Sequence, residues 1–95
     1  MSHSFRIGDM VRLHRDRNHD KFGYRGQNVW KYEEGWMQQT ASQVRYDEVC
    51  IILDEVYLEA PWPGRSGKSE ASGTWYQVHN SSATGWFHKN ALDPV

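Results

Sequence analysis

The sequence predicts an all-β fold, a small and strongly bent antiparallel barrel with long loops and a closing helical turn. Three observations carry this. Short runs rich in β-branched and aromatic residues recur along the chain, polar stretches holding Gly and Pro separate them, and no segment shows a sustained helical period. The 95 residues suffice for one domain, 1–95, with a thin core. Five Trp and five Tyr thicken it, because each buried ring removes a large apolar area from water.

The elements follow in order. "FRIGDMVRLH" (Phe5–His14) reads as a turn at Gly8-Asp9 feeding a strand in which Val11 and Leu13 alternate with polar neighbours. Arg15–Asn28 is polar and aperiodic, a long loop, and Val29–Tyr32 is a short strand. "EEGWMQQTASQ" reads as irregular structure. Tyr46–Ala60 holds Val49, Ile51, Ile52 and Val56, which fit a pleated surface, so it is one long bent strand or two joined near Asp54-Glu55. "TWYQVH" and "TGWFH" form a hairpin around "NSSA", and "KNALDPV" closes the domain as a single helical turn.

The last hairpin can be read residue by residue. A four-residue loop pairs His79 with Thr84, Val78 with Gly85, Gln77 with Trp86, Tyr76 with Phe87 and Trp75 with His88. Tyr76, Val78 and Phe87 then share one face, and Trp75, Trp86 and His88 the other. Taking the first set as the core leaves Trp75 and Trp86 outward or half-buried, an aromatic patch of the kind that anchors partners.

Charge is balanced overall at −1, which argues against a general nucleic-acid binder, but it is unevenly placed. Residues 1–31 carry seven Lys/Arg against three Asp/Glu, residues 32–60 one against seven, and residues 61–95 three against two. The resulting dipole suits docking to a charged partner surface. The single cysteine, Cys50, lies in the apolar run "VCIIL" and reads as a buried thiol. The N-terminus lacks the apolar stretch of a signal peptide and no segment approaches the roughly 20 apolar residues of a membrane span, so a cytoplasmic protein without a membrane partner is expected.

Motifs of chemistry are incomplete. "GRSGKS" ends like a phosphate-binding loop, yet Trp62 stands where the first Gly is needed, and no helix follows to offer its N–H groups. Asp16, Asn18 and Asp20 echo a calcium loop, but Lys21 replaces its turn glycine. His14, His19 and Asp20 have weak zinc spacing. Asn80-Ser81-Ser82 reads as turn chemistry. No nucleophile has a base in register. The expectation is a non-enzyme with no metal and no cofactor.

Two segments resemble a known family. "SFRIGDMVRLH" is similar to the F-x-x-G-D-x-V strand of SH3-like barrels, and "TWYQVHNSSATGWFHKNALDPV" resembles the closing half of such a barrel. His88 and Ala91 stand where signalling SH3 domains carry the Pro and Tyr that line a proline-peptide groove, which points away from that recognition mode. The pattern looks more like stand-alone bacterial and bacteriophage SH3-like proteins. That resemblance implies a small structural or adaptor component of a larger protein assembly, such as a phage virion. The candidate partner-binding residues are Trp62, Trp75, Trp86 and His88, with Arg65 and Lys68 on a loop tip, Arg65–Gly73, that a partner would order. The alternatives are a nucleic-acid-binding barrel of ribosomal or transcription type, using Arg6, Arg12, Arg15, Arg17, Lys21 and Arg25 with Tyr24 stacking, and a regulatory subunit of an enzyme.

Overall fold

In the computed structural model, residues 4–15, 25–59 and 72–95 are described. They are all-β. Seven strands, β1 (Met10–Leu13), β2 (Gly26–Glu33), β3 (Trp36–Arg45), β4 (Cys50–Leu58), β5 (Gly73–His79), β6 (Thr84–His88) and β7 (Leu92–Pro94), form one antiparallel sheet. Its order is β3-β2-β6-β5-β4-β1-β7, so β3 and β7 are edges and the sheet curls into a half-barrel. A 3-10 turn, Lys89–Ala91, precedes β7. No helix among the described residues is long and apolar enough to cross a membrane.

The first turn explains the Gly8-Asp9 pair. Gly8 adopts φ +96°, where a side chain is disfavoured. The Asp9 carboxylate accepts the Arg6 N–H at 2.9 Å and closes the turn. Gly8 N–H donates to the Ile52 carbonyl and Ile52 N–H donates to the Asp9 carbonyl, at 2.8 and 2.9 Å, which docks the turn on β4. β1 then pairs with β4 and β7, which brings the two ends of the described chain together.

β4 is one strand, and its bend is a register shift between Ile52 and Asp54. Before that shift Cys50 and Ile52 face the core, and after it Val56 and Leu58 face the opposite side of the sheet, packed with Trp75. The region read as irregular is instead the second half of a hairpin. Glu34 and Gly35 both have positive φ, 55° and 85°, which is the conformation of a two-residue turn between β2 and β3. The Gly26–Asn28 part of the expected long loop is the start of β2, and the chain after the 3-10 turn continues as a strand.

The β5–β6 hairpin has the expected register, from Trp75↔His88 through Tyr76↔Phe87 to His79↔Thr84. Tyr76, Val78 and Phe87 enter the main core with Val11, Val29, Val44 and Ile52. The Tyr76 hydroxyl accepts the Phe5 N–H at 3.1 Å, and the two rings meet edge to face. At the hairpin turn Asn80 Oδ1 accepts the N–H groups of Ser82 and Ala83. Asn80 Nδ2 also donates to Cys50 Sγ, a buried thiol whose pKa is raised mainly by burial.

The hairpin of β2 and β3 reaches the rest of the sheet through β6, where Trp30 pairs with Trp86. Gly85 makes this approach possible. A Cβ there would lie 2.4 Å from the Val29 Cβ and 3.0 Å from the Trp30 carbonyl oxygen. Gly85→Ala is therefore expected to force β2 away from β6 and to cost about 1–3 kcal/mol, read as a lower denaturation midpoint. A midpoint equal to that of the unmodified protein would show that β2 and β6 do not approach so closely.

Glu48 ties the turn after β3 to the β5–β6 turn. Its carboxylate accepts the Ser82 hydroxyl at 2.7 Å and the Arg45 N–H at 2.8 Å, and these bonds hold its pKa below the usual carboxylate range. With the folded pKa below the unfolded one, this contribution is present above the unfolded pKa and is lost as pH falls through the folded value. Because Glu48 lies near solvent, the effect is small. Glu48→Gln should lower stability slightly at neutral pH and flatten its acid dependence in pH-resolved denaturation; an unchanged acid slope would contradict the assignment.

Candidate interaction surface

Alternation along β5 and β6 puts Trp75 and Trp86 on the face opposite the main core, as the sequence predicts. They are nevertheless not exposed. Trp75 is 2% and Trp86 8% accessible, and with Met37 they form a second apolar cluster bordered by Trp30, Val56 and Leu58. The expectation of an outward patch rested on one buried face for this strand pair. The hairpin carrying Met37 and Trp30, together with the end of β4, covers the other face as well.

Edge-to-face contacts organise the cluster. Trp30 meets Trp75 with centroids 5.9 Å apart, Tyr32 meets Trp86 at 5.6 Å, and Trp75 meets His88 at 5.5 Å. Such pairs favour the positive edge of one ring over the negative face of another. His88 is half-buried and fully engaged by the backbone. Its Nδ1 accepts the Asn90 N–H at 3.1 Å as the N-cap of the 3-10 turn, which leaves the proton on Nε2 to donate to the Ser72 carbonyl at 2.8 Å. His88 thus clamps the start of β5 to the closing turn. It belongs beside Trp75, as expected, but as a bracket.

Trp62, Arg65 and Lys68 lie outside the described residues, as do Asp16, Arg17, Asn18, His19, Asp20, Lys21 and Tyr24 and most of the loop tip. His14 donates to, or is ion-paired with, Asp93 at 3.0 Å across β1 and β7. Among the described residues no group of three or more His, Cys, Asp or Glu could hold a metal ion. His79 Nδ1 contacts the Thr84 hydroxyl, but this is a direct cross-strand pair beside the turn, and no third group orients it among the described hydrogen bonds.

The surface that sequence reasoning missed lies on β2. Trp30 is half-buried, Tyr32 is 38% exposed, and both stand over the tryptophan cluster on a strand held by pairing on each side. Trp30 lines two shallow, open depressions. One, of about 320 Å³, is bounded by Lys31, Tyr32, Thr40, Gln77 and Trp86. The other, of about 360 Å³, is bounded by Gln27, Asn28, Gln39, Gln43 and Tyr46. Carboxamides and hydroxyls offer both donors and acceptors, and the rings offer apolar area, so the surface is suited to holding a polar partner. The available signal was "VWKYEEGW": alternation places Trp30 and Tyr32 on one face, and Glu34-Gly35 supplies the turn.

No protein-family model, curated protein or solved structure matches the chain.

Buried tryptophans should behave as core. Trp75→Ala and Trp86→Ala are each expected to cost about 3–5 kcal/mol, whereas Tyr57→Ala should cost little. Tyr57 is the control because it is 62% exposed. Equal denaturation midpoints for the tryptophan variants and the Tyr57 variant would return Trp75 and Trp86 to the surface.

Proposed function

We propose that the chain is a non-catalytic SH3-like interaction module, a small structural or adaptor component that docks onto a larger protein assembly such as a phage virion. The observation that carries this reading is the pair Trp30 and Tyr32, partly exposed on a backbone fixed by the tryptophan cluster beneath. Tyr and Trp are enriched among the residues that dominate protein interfaces, and a rigid platform loses little entropy on binding. The flanking depressions are shallow and open, which suits a partner's surface loops better than a small enclosed ligand. The SH3-like reading is supported by the two resembling segments, at opposite ends of the chain, meeting as β1 and β7 in one sheet.

The docking surface is accordingly placed at Trp30, Lys31 and Tyr32, with Trp75 and Trp86 supporting it from below. The unequal charge distribution would orient the approach.

Affinity capture from the native source tests the proposal. Tyr32→Ala and Lys31→Glu, shown to be folded, should each deplete the captured protein partner, while Tyr57→Ala should not. Undiminished capture by Tyr32→Ala would overturn the surface assignment. Recovery of nucleic acid that is released steeply by salt, in place of a protein, would overturn the interaction-module reading.

A further inference from the structure

The depression between Trp30 and the base of the β2–β3 hairpin has an unusual lining. Gln27, Asn28, Gln39, Gln43 and Tyr46 surround the half-buried Trp30, and among the described residues no charged side chain lines it. Arg15 stacks on the Tyr46 ring, 5.6 Å from its centroid, without lining the depression. Gln27 Nε2 donates to the Tyr46 hydroxyl at 3.1 Å. The carboxamides of Asn28, Gln39 and Gln43 have no hydrogen-bond partner among the described residues.

The bulge in β3 gathers these three. Asn28 pairs with Gln43 and Trp30 with Gln39, so two steps along β2 match four along β3. The surplus is held at Thr40–Ser42. There the Thr40 hydroxyl donates to the Val29 carbonyl at 2.8 Å and accepts the Ser42 N–H at 3.2 Å. Gln39 and Gln43 therefore line one depression, opposite Trp30 and Asn28. Bulges re-aim side chains in this way and are over-represented beside functional sites.

The same geometry narrows the ligand. A strand adding to β3 needs free backbone N–H groups, but the Ser42 N–H is bonded to Thr40 and the Arg45 N–H to the Glu48 carboxylate. The ligand accordingly meets side chains, not the backbone ladder. A charged ligand would be desolvated with no opposite charge in the lining to compensate it. A wholly apolar one would strip water from three carboxamides and return no hydrogen bonds. The lining instead matches a neutral molecule with an apolar face and many groups that both donate and accept.

We infer that this depression binds a neutral oligosaccharide, one sugar ring lying against Trp30 with its hydroxyls shared among Asn28, Gln39 and Gln43. A pyranose has a face of C–H bonds for the indole. Each carboxamide can donate to one hydroxyl and accept from the next. The depression is open, about 360 Å³, so it admits one unit within a longer sugar chain. This goes beyond docking to a protein assembly and shares only Trp30 with the surface placed at Trp30, Lys31 and Tyr32.

The test is an array of immobilised gluco-, manno-, xylo- and chito-oligosaccharides, with oligogalacturonate and heparin oligosaccharides as the acidic set, followed by titration of the full chain. Retention on at least one neutral series, persisting at high salt, is expected. Gln39→Ala and Gln43→Ala, both at exposed positions, should each weaken it about tenfold, and Tyr57→Ala should not. Retention on no neutral series, retention only on the acidic set, or an unchanged Kd in both glutamine variants would overturn the inference. Capture of a protein partner is read separately at Tyr32 and Lys31, so either reading can fail without the other.

Discussion

The pairing of β5 with β6 sets the rest of the structure. With Tyr76 opposite Phe87, strand alternation sends Tyr76, Val78 and Phe87 to one side and Trp75 and Trp86 to the other. Five large apolar residues on two short strands then need cover on both faces. The first face is covered by the curl of β1, β4 and β7 with Phe5. The second is covered by the β2–β3 hairpin, whose Met37 and Trp30 reach the tryptophans, and by Val56 and Leu58 from β4 beyond its bulge. Gly85 and the Ile52–Asp54 register shift are the local concessions that let these covers arrive.

The division of aromatics between two clusters separates stability from recognition. Trp75 and Trp86 lose nearly all their contact with water within the chain, so they have little apolar area left to give a partner. Their effect on a surface is indirect, through the edge-to-face contacts that fix Trp30 and Tyr32. Sequence position alone does not distinguish a tryptophan that binds from one that supports, because both alternate with core residues in the same way. What distinguishes them is the segment packed above.

Legibility in the sequence followed the strength of local signals. The β5–β6 register was readable because alternation, aromatic content and the Asn80-Ser81-Ser82-Ala83 turn agree. The Gly8-Asp9 turn was readable for the same reason. β3 was not, because Gln38, Gln39, Ala41, Ser42 and Gln43 have weak strand preference and an exposed edge gives no hydrophobic alternation. Its partner β2 was read only in part, as Val29–Tyr32, because the polar Gly26–Asn28 that opens it shows no apolar alternation. The burial of Trp75 and Trp86 was hidden as a consequence, since Met37 sits on the unread strand β3, and the turn of Trp30, Val56 and Leu58 towards them depends on that hairpin and on the β4 register shift. His88 was recognisable as a neighbour of Trp75 but not as a cap, because that role depends on the backbone of Asn90 and Ser72.

The two-faced sheet can be examined most directly through the methyl group of Met37, which lies with Trp75 and Trp86 and apart from Phe87 and Val78. A methyl-labelled protein examined by nuclear Overhauser spectroscopy should show the Met37 methyl close to the Trp75 and Trp86 indoles, and the Phe87 ring close to the Val78 and Ile52 methyls. Cross-peaks joining the Met37 methyl to Phe87 and Val78, with none to the indoles, would mean a register shifted by one residue and would contradict the account.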